Sequence, residues 1–498
     1  MLELKIAFIR QLSAKVNKRT LADSQNAVQD QQKIFKKLIK SAKNTQFGHD
    51  HQFDNILNHA DFQKYVPVRD YEALKQYIDQ IINGKRHVLW KGKPKYFAKT
   101  SGTTSGVKYI PITKKSMPSH INTATRATLN YVFRNRRFDL FSGKIIFLSG
   151  SPVLDKKGGI LTGRLSGIVN HEVPSWLRSN QLPSYETNCI EDWETKLDKI
   201  VEETKNEDLR VISGIPPWVQ MYFERLLAAT GKKTIKEIFP NFQLFIHGGV
   251  NYEPYRKSLE SMMGGNVETL ETFPASEGFI AYQSDESEGL LLNTNAGMFF
   301  EFIPLSDYHN AVKKRLTLAE VQLNVDYALV ITSDAGLWAY DIGDLVRFVS
   351  LDPFKIVVSG RVKHFISAFG EHVIGSEVEQ AMQIATKKYN LSITEFTVAP
   401  MIEVGDGQLP YHQWLVETDD ADLDINELEE TLDHQLRKLN IYYDDLRSGN
   451  ILSRLKITIL PKDSFVNYMK SIGKLGGQNK VPRLSNNREL AEAVLSLV

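Results

Sequence analysis

The chain has 498 residues, 42% of them hydrophobic and 24% charged, enough for a sizeable core and about three domain-sized units. With 61 basic and 59 acidic residues its formal net charge is +2, which supplies no electrostatic drive toward nucleic acid or an anionic membrane as partner. One cysteine, Cys189, excludes an internal disulfide and a multi-cysteine zinc site and points to a reducing compartment, the cytoplasm by default.

The opening segment scatters Lys5, Arg10, Lys15, Lys18 and Arg19 along its length and lacks the continuous apolar stretch of a signal peptide. No run of about 18 apolar residues offers a membrane-spanning helix. Roughly the first 90 residues read as helical by their periodicity. Ile34, Phe35, Leu38 and Ile39 fall on one face, among Lys33, Lys36, Lys37 and Lys40. At this overall charge the pattern predicts a surface helix packed on its own domain rather than one lying on a membrane.

From Tyr96 onward short β-type runs alternate with helical stretches. Candidate strands are Lys144–Leu148, Arg210–Ile212, Gln243–Ile246, Leu329–Thr332 and Lys355–Val358, and candidate helices Trp218–Ala229 and Tyr255–Met263. Such alternation predicts an α/β fold with helices on the faces of a sheet. Ile425, Leu428, Leu432, Leu436 and Leu439 then mark an amphipathic helix, followed by a strand at Leu455–Leu460. We therefore expect a large domain over residues 1–360 and a smaller α/β domain over 361–498, divided near Ser359–Lys363.

The stretch with most chemical content is Thr100-Ser-Gly-Thr-Thr-Ser-Gly-Val-Lys108, between strand-like Tyr96–Ala98 and Tyr109–Ile112. Gly102 and Gly106 allow close backbone approach, Ser101, Thr103 and Thr104 add donors, and Lys108 adds charge, all of which suits a polyphosphate. The Gly-Lys-Ser/Thr ending of a Walker loop is missing, and a plain hairpin is the alternative. Three further segments follow. His247-Gly248-Gly249-Val250 closes a predicted strand and leaves room for a flat base. Phe273-Pro-Ala-Ser276-Glu277-Gly278 offers an aromatic face and a carboxylate able to hold Mg²⁺. Tyr340-Asp-Ile-Gly343-Asp344 is expected to end another strand, its Asp suited to ribose hydroxyls.

In order and spacing these segments resemble the signature motifs of the adenylate-forming superfamily of acyl-CoA synthetases, luciferases and peptide-synthetase adenylation domains. Thr100–Lys108 is similar to its phosphate loop, Phe273–Glu277 to its aromatic-x-x-Ser/Thr-Glu motif and Tyr340–Asp344 to its Tyr-x-x-Gly-Asp motif. Gly360-Arg361-Val-Lys363 through Gly370-Glu371 is similar to its hinge. A narrower resemblance, to the auxin-responsive (Gretchen Hagen) acyl acid amido synthetases, is carried by Val68-Arg-Asp-Tyr71-Glu72, Phe299-Phe-Glu301-Phe-Ile-Pro304 and Gln478-Asn-Lys480-Val-Pro482-Arg483. It spans nearly the whole chain. Departures are Phe273 in place of Tyr, Ala339 and Asp341 in place of arginines around Tyr340, and Asn479 in place of Tyr.

The resemblance implies a large N-terminal adenylate-forming domain of mixed sheets flanked by helices, plus a small mobile C-terminal domain. It also implies a ligase that uses ATP and Mg²⁺ to join a small carboxylic acid to an amino acid. Ser101, Thr103, Thr104 and Lys108 would hold the leaving pyrophosphate, and Gly248, Gly249 and Phe273 the adenine, with Tyr340 part of the nucleotide site. Asp344 and Arg361 would anchor the ribose, Ser276 the α-phosphate and Glu277 the metal. Lys480 would supply catalytic charge and Lys363 the hinge. Arg126, on a helix after the phosphate loop, is a candidate partner for a substrate carboxylate, with an ordinary surface arginine as the alternative. A thioester ligase using coenzyme A or a carrier protein is the rival enzyme, and a non-catalytic nucleotide-binding protein the rival from another class.

Overall fold

The structure is a computed structural model. It describes residues 2–498 except 101–106, 174, 191, 250–251, 309, 311, 363–364, 367–372, 403, 405–407, 421–422, 449–450, 476–479 and 486. The chain divides into two compact units. The first comprises residues 1–215, 225–249 and 266–357, and the second 216–224, 250–265 and 358–498. Two segments that the contiguous 1–360 reading puts in the large domain thus group with the smaller unit.

The first unit is built on a mixed sheet, eleven strands wide among the described residues. At one end Lys144–Phe147, Leu209–Ser213, Leu244–Gly248 and Glu268–Ala275 run parallel. Their apolar residues face inward: Ile146, Val211, Ile212, Leu244, Phe245 and Leu270 are all buried. The direction reverses at Gly278–Tyr282, which returns antiparallel to Glu268–Ala275, and the far end is antiparallel through Met298–Pro304, Asp326–Ser333 and Tyr340–Leu351. A separate four-stranded sheet holds the hairpin Tyr96–Thr100 and Lys108–Ile112, registered Tyr96 to Ile112 and Thr100 to Lys108. The two strands expected around the phosphate loop are therefore paired partners.

The lysine-rich amphipathic segment is the helix Ala27–Ala42, and it packs on its own unit. Ile34, Phe35, Leu38 and Ile39 are buried, with the Phe35 ring 4.9 Å from Phe299 and 5.4 Å from Phe62. Buried Gln31 donates to Thr294 O and Met298 O at 2.8 Å and accepts from Phe300 N–H at 2.8 Å. The helix is thus locked to the strand Met298–Pro304 by direction as well as by apolar contact.

The same strand carries Glu301, fully buried and gripped by the fork of Arg315 at 2.9 and 2.8 Å. His59 Nε2 lies 2.7 Å from Glu301 Oε1, the oxygen that also accepts from Arg315 Nε, and Arg315 also donates to Val66 O at 2.6 Å. Burial pushes the Glu301 carboxyl up, but Arg315 and His59 outweigh it and hold the group below the usual carboxylate range.

In the second unit the strands Ile393–Met401, Tyr411–Thr418 and Lys456–Leu460 form a sheet covered on both faces. Trp414 and Val416 point to the side filled by Leu428, Leu432 and Leu436 of the helix Ile425–Leu439, and by Val378 and Met382 of Gly375–Tyr389. Leu415, one residue out of phase, faces Phe465, Met469, Val481 and Val494. Period-two alternation therefore splits one strand between two cores.

No helix among the described residues is long and apolar enough to cross a membrane. Replacing Arg315 with Met leaves the Glu301 charge buried without its fork. We expect a loss of about 3–5 kcal/mol in urea unfolding, and a smaller loss when Glu301→Leu is added to it.

Candidate functional site

The parallel end of the sheet sets up the site. Leu244–Gly248 and Glu268–Ala275 run side by side in register, Gly248 opposite Thr272, so Gly248 and Phe273 emerge together at the carboxyl ends of neighbouring strands. In open α/β sheets that edge is where ligands bind. Gly248 cannot be larger, because a Cβ there would drive into the Thr272 carbonyl. Gly249 follows at φ +77°, a left-handed conformation that turns the chain off the sheet. The Thr272 hydroxyl donates to His247 O at 2.9 Å and fixes the two strand ends to each other. Together these residues leave a bare backbone shelf at the end of one strand, with the largely buried Phe273 on its neighbour.

Ser276 and Glu277 form a two-residue turn, with Ala275 paired to Gly278 across it, and both are half-buried. The Phe273 ring is largely buried within its strand. Tyr340 is buried nearby, and its hydroxyl is pushed well above the ordinary range, first by burial and then by the charges of Glu277, Asp341 and Asp70. The Glu277 charge is thus one of the contributions that raise Tyr340, after burial.

Tyr340 opens a strand rather than ending one, which corrects the sequence-based reading of its motif. Two constraints explain this. Arg69 N–H donates to Ala339 O at 3.0 Å and Asp341 N–H donates to Arg69 O at 2.8 Å, so the lead-in segment pairs with Tyr340 from the side. Beyond it the ladder bulges. Val330 opposes Asp341 while Ala328 opposes Leu345, so Ile342, Gly343 and Asp344 face the single residue Leu329. Gly343 sits at φ +80°, and Asp341 Oδ1 accepts its N–H at 2.8 Å while Asp341 Oδ2 accepts from the Tyr308 hydroxyl at 2.6 Å. Asp344 therefore stands on a bulge rather than in a regular pleat.

Tyr71 joins the remaining piece. Its hydroxyl accepts Tyr109 N–H at 2.9 Å, and Lys108 Nζ lies 5.8 Å from the centre of its ring. Tyr71 also acts on Tyr340 electrostatically. Lys108, Tyr71 and, two residues before it, Arg69 with its partner Tyr340 thus form a connected group in the first unit. Ser101, Gly102, Thr103, Thr104, Gly106 and Lys363 lie outside the described residues. Arg361 ends the strand Phe354–Arg361, and Lys480 is an exposed residue of the second unit.

Arg126 is not an ordinary surface arginine: it already has a carboxylate partner within the protein. Its Nη1 donates to Asp23 Oδ2 at 2.6 Å on the helix Leu2–Gln25, and it is largely buried. Sequence reasoning gave it a candidate role because the distant Asp23 leaves no mark near residue 126. The reverse miss is Tyr71 with Arg69. Their segment stood out by resemblance, yet nothing local indicated that it pairs with Tyr340.

Family models match most of the chain: the GH3 family N-terminal domain over residues 17–187 and 151–268, its central domain over 291–361 and its C-terminal domain over 376–489. The chain belongs to the GH3 family. A GH3 relative, the jasmonoyl–L-amino acid synthetase JAR6 of Nicotiana attenuata, is 22% identical over 91% of this chain and 90% of its own. JAR4 of the same plant is 24% identical over 64% of this chain and 66% of its own. The solved structure of the GH3 acyl acid amido synthetase AtGH3.15, in complex with 2,4-DB, shares the fold at a TM-score of 0.79. It is 16% identical and covers 97% of this chain and 96% of that one.

A Gly248→Ala change tests the shelf in this GH3 chain. Forcing a methyl against the Thr272 carbonyl should cost about 1–3 kcal/mol of stability. It should also weaken ATP binding at least tenfold, read by thermal unfolding and by titration calorimetry at a temperature where the variant is folded.

Proposed function

We propose that this GH3 chain is an ATP-dependent acyl acid amido synthetase, a ligase that forms a carbon–nitrogen bond by way of an acyl-adenylate. The observation that carries the reading is the joining of the Lys108 hairpin to Tyr340 through Tyr71 and the paired Arg69, with Gly248 and Phe273 on adjoining strands. Relatives named as jasmonoyl–amino acid and indole-3-acetic acid-amido synthetases support conjugation of a small acid to an amino acid.

A carboxylate resists nucleophiles because of its charge and its lack of a leaving group. In the first step its oxygen bonds to the α-phosphorus of ATP while the bond to the bridging oxygen breaks, and pyrophosphate departs with that electron pair. Ser101, Thr103, Thr104 and Lys108 hold the departing group, and Ser276 the α-phosphate. Asp344 and Arg361 hold the ribose beside Gly248, Gly249 and Phe273. Lys480 supplies positive charge where negative charge grows. Mg²⁺, when bound, offsets the phosphate charge. A single half-buried carboxylate at a turn, Glu277, fits an ion that prefers one or two protein oxygens and fills its remaining positions with water and phosphate.

In the second step a neutral amino group attacks the acyl carbon, loses a proton to a base, and displaces AMP. The domains of this reading are 1–360 and 361–498. Backbone rotation near 360–364, centred on Lys363, separates the two steps. Acid and amine are the small-molecule partners, and the single cysteine suits the cytoplasm.

The test is acid-dependent pyrophosphate release from Mg²⁺-ATP over aromatic, indolic and short aliphatic acids, with and without pooled amino acids. An amide seen by mass spectrometry supports the reading, while release stimulated only by coenzyme A moves the chain to the thioester ligases. Lys480→Ala should slow pyrophosphate release by about 10²–10³, and a loss under about threefold would remove Lys480 from its role. Lys363→Pro, which fixes φ, should slow acyl transfer more than adenylation. Equal slowing of both steps would count against the hinge.

A further inference from the structure

The terminal motif carries a second positive charge besides Lys480, Arg483, and the structure largely buries its side chain. Arg483 is 11% exposed and is gripped from three sides within the second unit. Its Nε donates to Glu379 Oε1 at 3.1 Å on the helix Gly375–Tyr389, and its Nη1 pairs with Glu395 on the strand Ile393–Met401. Nη1 also donates to Phe396 O at 3.2 Å, and the guanidinium lies 4.6 Å from the centre of the Phe396 ring. Tyr255, 1% exposed on the helix Glu253–Met263, donates from its hydroxyl to Glu395 Oε2 at 3.0 Å and accepts from Arg483 Nη2 at 3.4 Å.

The backbone around Arg483 is fastened as closely. Val398 N–H donates to Arg483 O at 3.0 Å, Ser485 N–H donates to Val398 O at 2.9 Å, and the Thr397 hydroxyl donates to Pro482 O at 2.7 Å. Val481 and Leu475 pack into one core cluster, so both ends of the stretch that contains Lys480 are anchored there. Lys480 is three residues from Arg483, within about 10 Å along an extended chain.

Desolvating a guanidinium and two carboxylates is costly, and an apolar side chain would fill the space with less penalty. What a fork between two carboxylates and a carbonyl adds is direction. We propose that Arg483, through Glu379, Glu395 and Tyr255, is a positioning residue that sets where Lys480 stands during adenylation. This rests on the assignment of Lys480 made above.

The experiment uses the full chain and a double-mutant cycle on Arg483→Lys and Lys480→Ala, reading pyrophosphate release and, separately, amide formation from chemically prepared acyl-adenylate. Arg483→Lys keeps the charge but loses the fork. We expect it to lower kcat for pyrophosphate release about 10–100-fold, with KM for ATP within threefold and amide formation unchanged. In the Lys480→Ala background it should cost less than about threefold, because the group it acts through is gone. The same loss in both backgrounds, or equal loss in both half-reactions, would overturn the proposal in favour of a structural staple. Should Arg483→Lys unfold the chain, Tyr255→Phe removes one hydroxyl. It should slow pyrophosphate release alone by about threefold or more, and an unchanged rate would overturn the proposal equally. A Lys480→Ala rate equal to wild type identifies a different failure, that of the Lys480 assignment.

Discussion

The backbone pairing of Arg69 with Tyr340 holds the candidate site together. Two hydrogen bonds of 3.0 and 2.8 Å fasten a segment near the start of the chain to a strand more than 250 residues later. Two residues beyond that joint stands Tyr71, whose hydroxyl receives Tyr109 N–H and whose ring faces Lys108. One joint therefore fixes the root of the hairpin around Lys108 and the start of the Tyr340 motif. Side-chain contacts alone would leave these segments free to slide, whereas paired amides and carbonyls set a register.

Each unit spends buried charge on orientation. In the first, Glu301 is held between Arg315 and His59 and ties the helix His59–Tyr65 and the segment entering Arg69 to the sheet. In the second, Arg483 is held between Glu379 and Glu395. Both carry desolvation costs that packed apolar side chains would avoid, and both lie a few residues from a segment that must be placed accurately. The helix Ala27–Ala42 does the same with a neutral group, Gln31, against the strand of Glu301.

The residues that depart from the plant pattern are explained locally. Asp341 receives Gly343 N–H and the Tyr308 hydroxyl, so its carboxylate stabilises the bulge beneath Asp344. Ala339 takes φ +44° and offers its carbonyl to Arg69. An arginine at 341 could not accept the two hydrogen bonds that Asp341 accepts, since a guanidinium only donates.

The sequence by itself determined the element types. Strands at 144–147, 209–213, 244–248, 326–333 and 354–361 and helices at 216–230, 253–263 and 425–439 form where apolar periodicity places them, because burial on one or both faces is a local pattern. Gly248 and Gly343 were legible too, since only glycine meets a carbonyl at contact distance or turns at positive φ without strain. Tertiary structure alone decided which segments meet. Arg126 is matched by Asp23, Glu301 by Arg315, Tyr340 by Arg69 and Glu277, and Arg483 by Glu395 and Tyr255, all across sequence gaps that periodicity does not span. It also made Tyr340 the start of a strand. Hydrogen-bond pairing and charge compensation are settled by distance in space, and distance in space is what a linear pattern of residues does not carry.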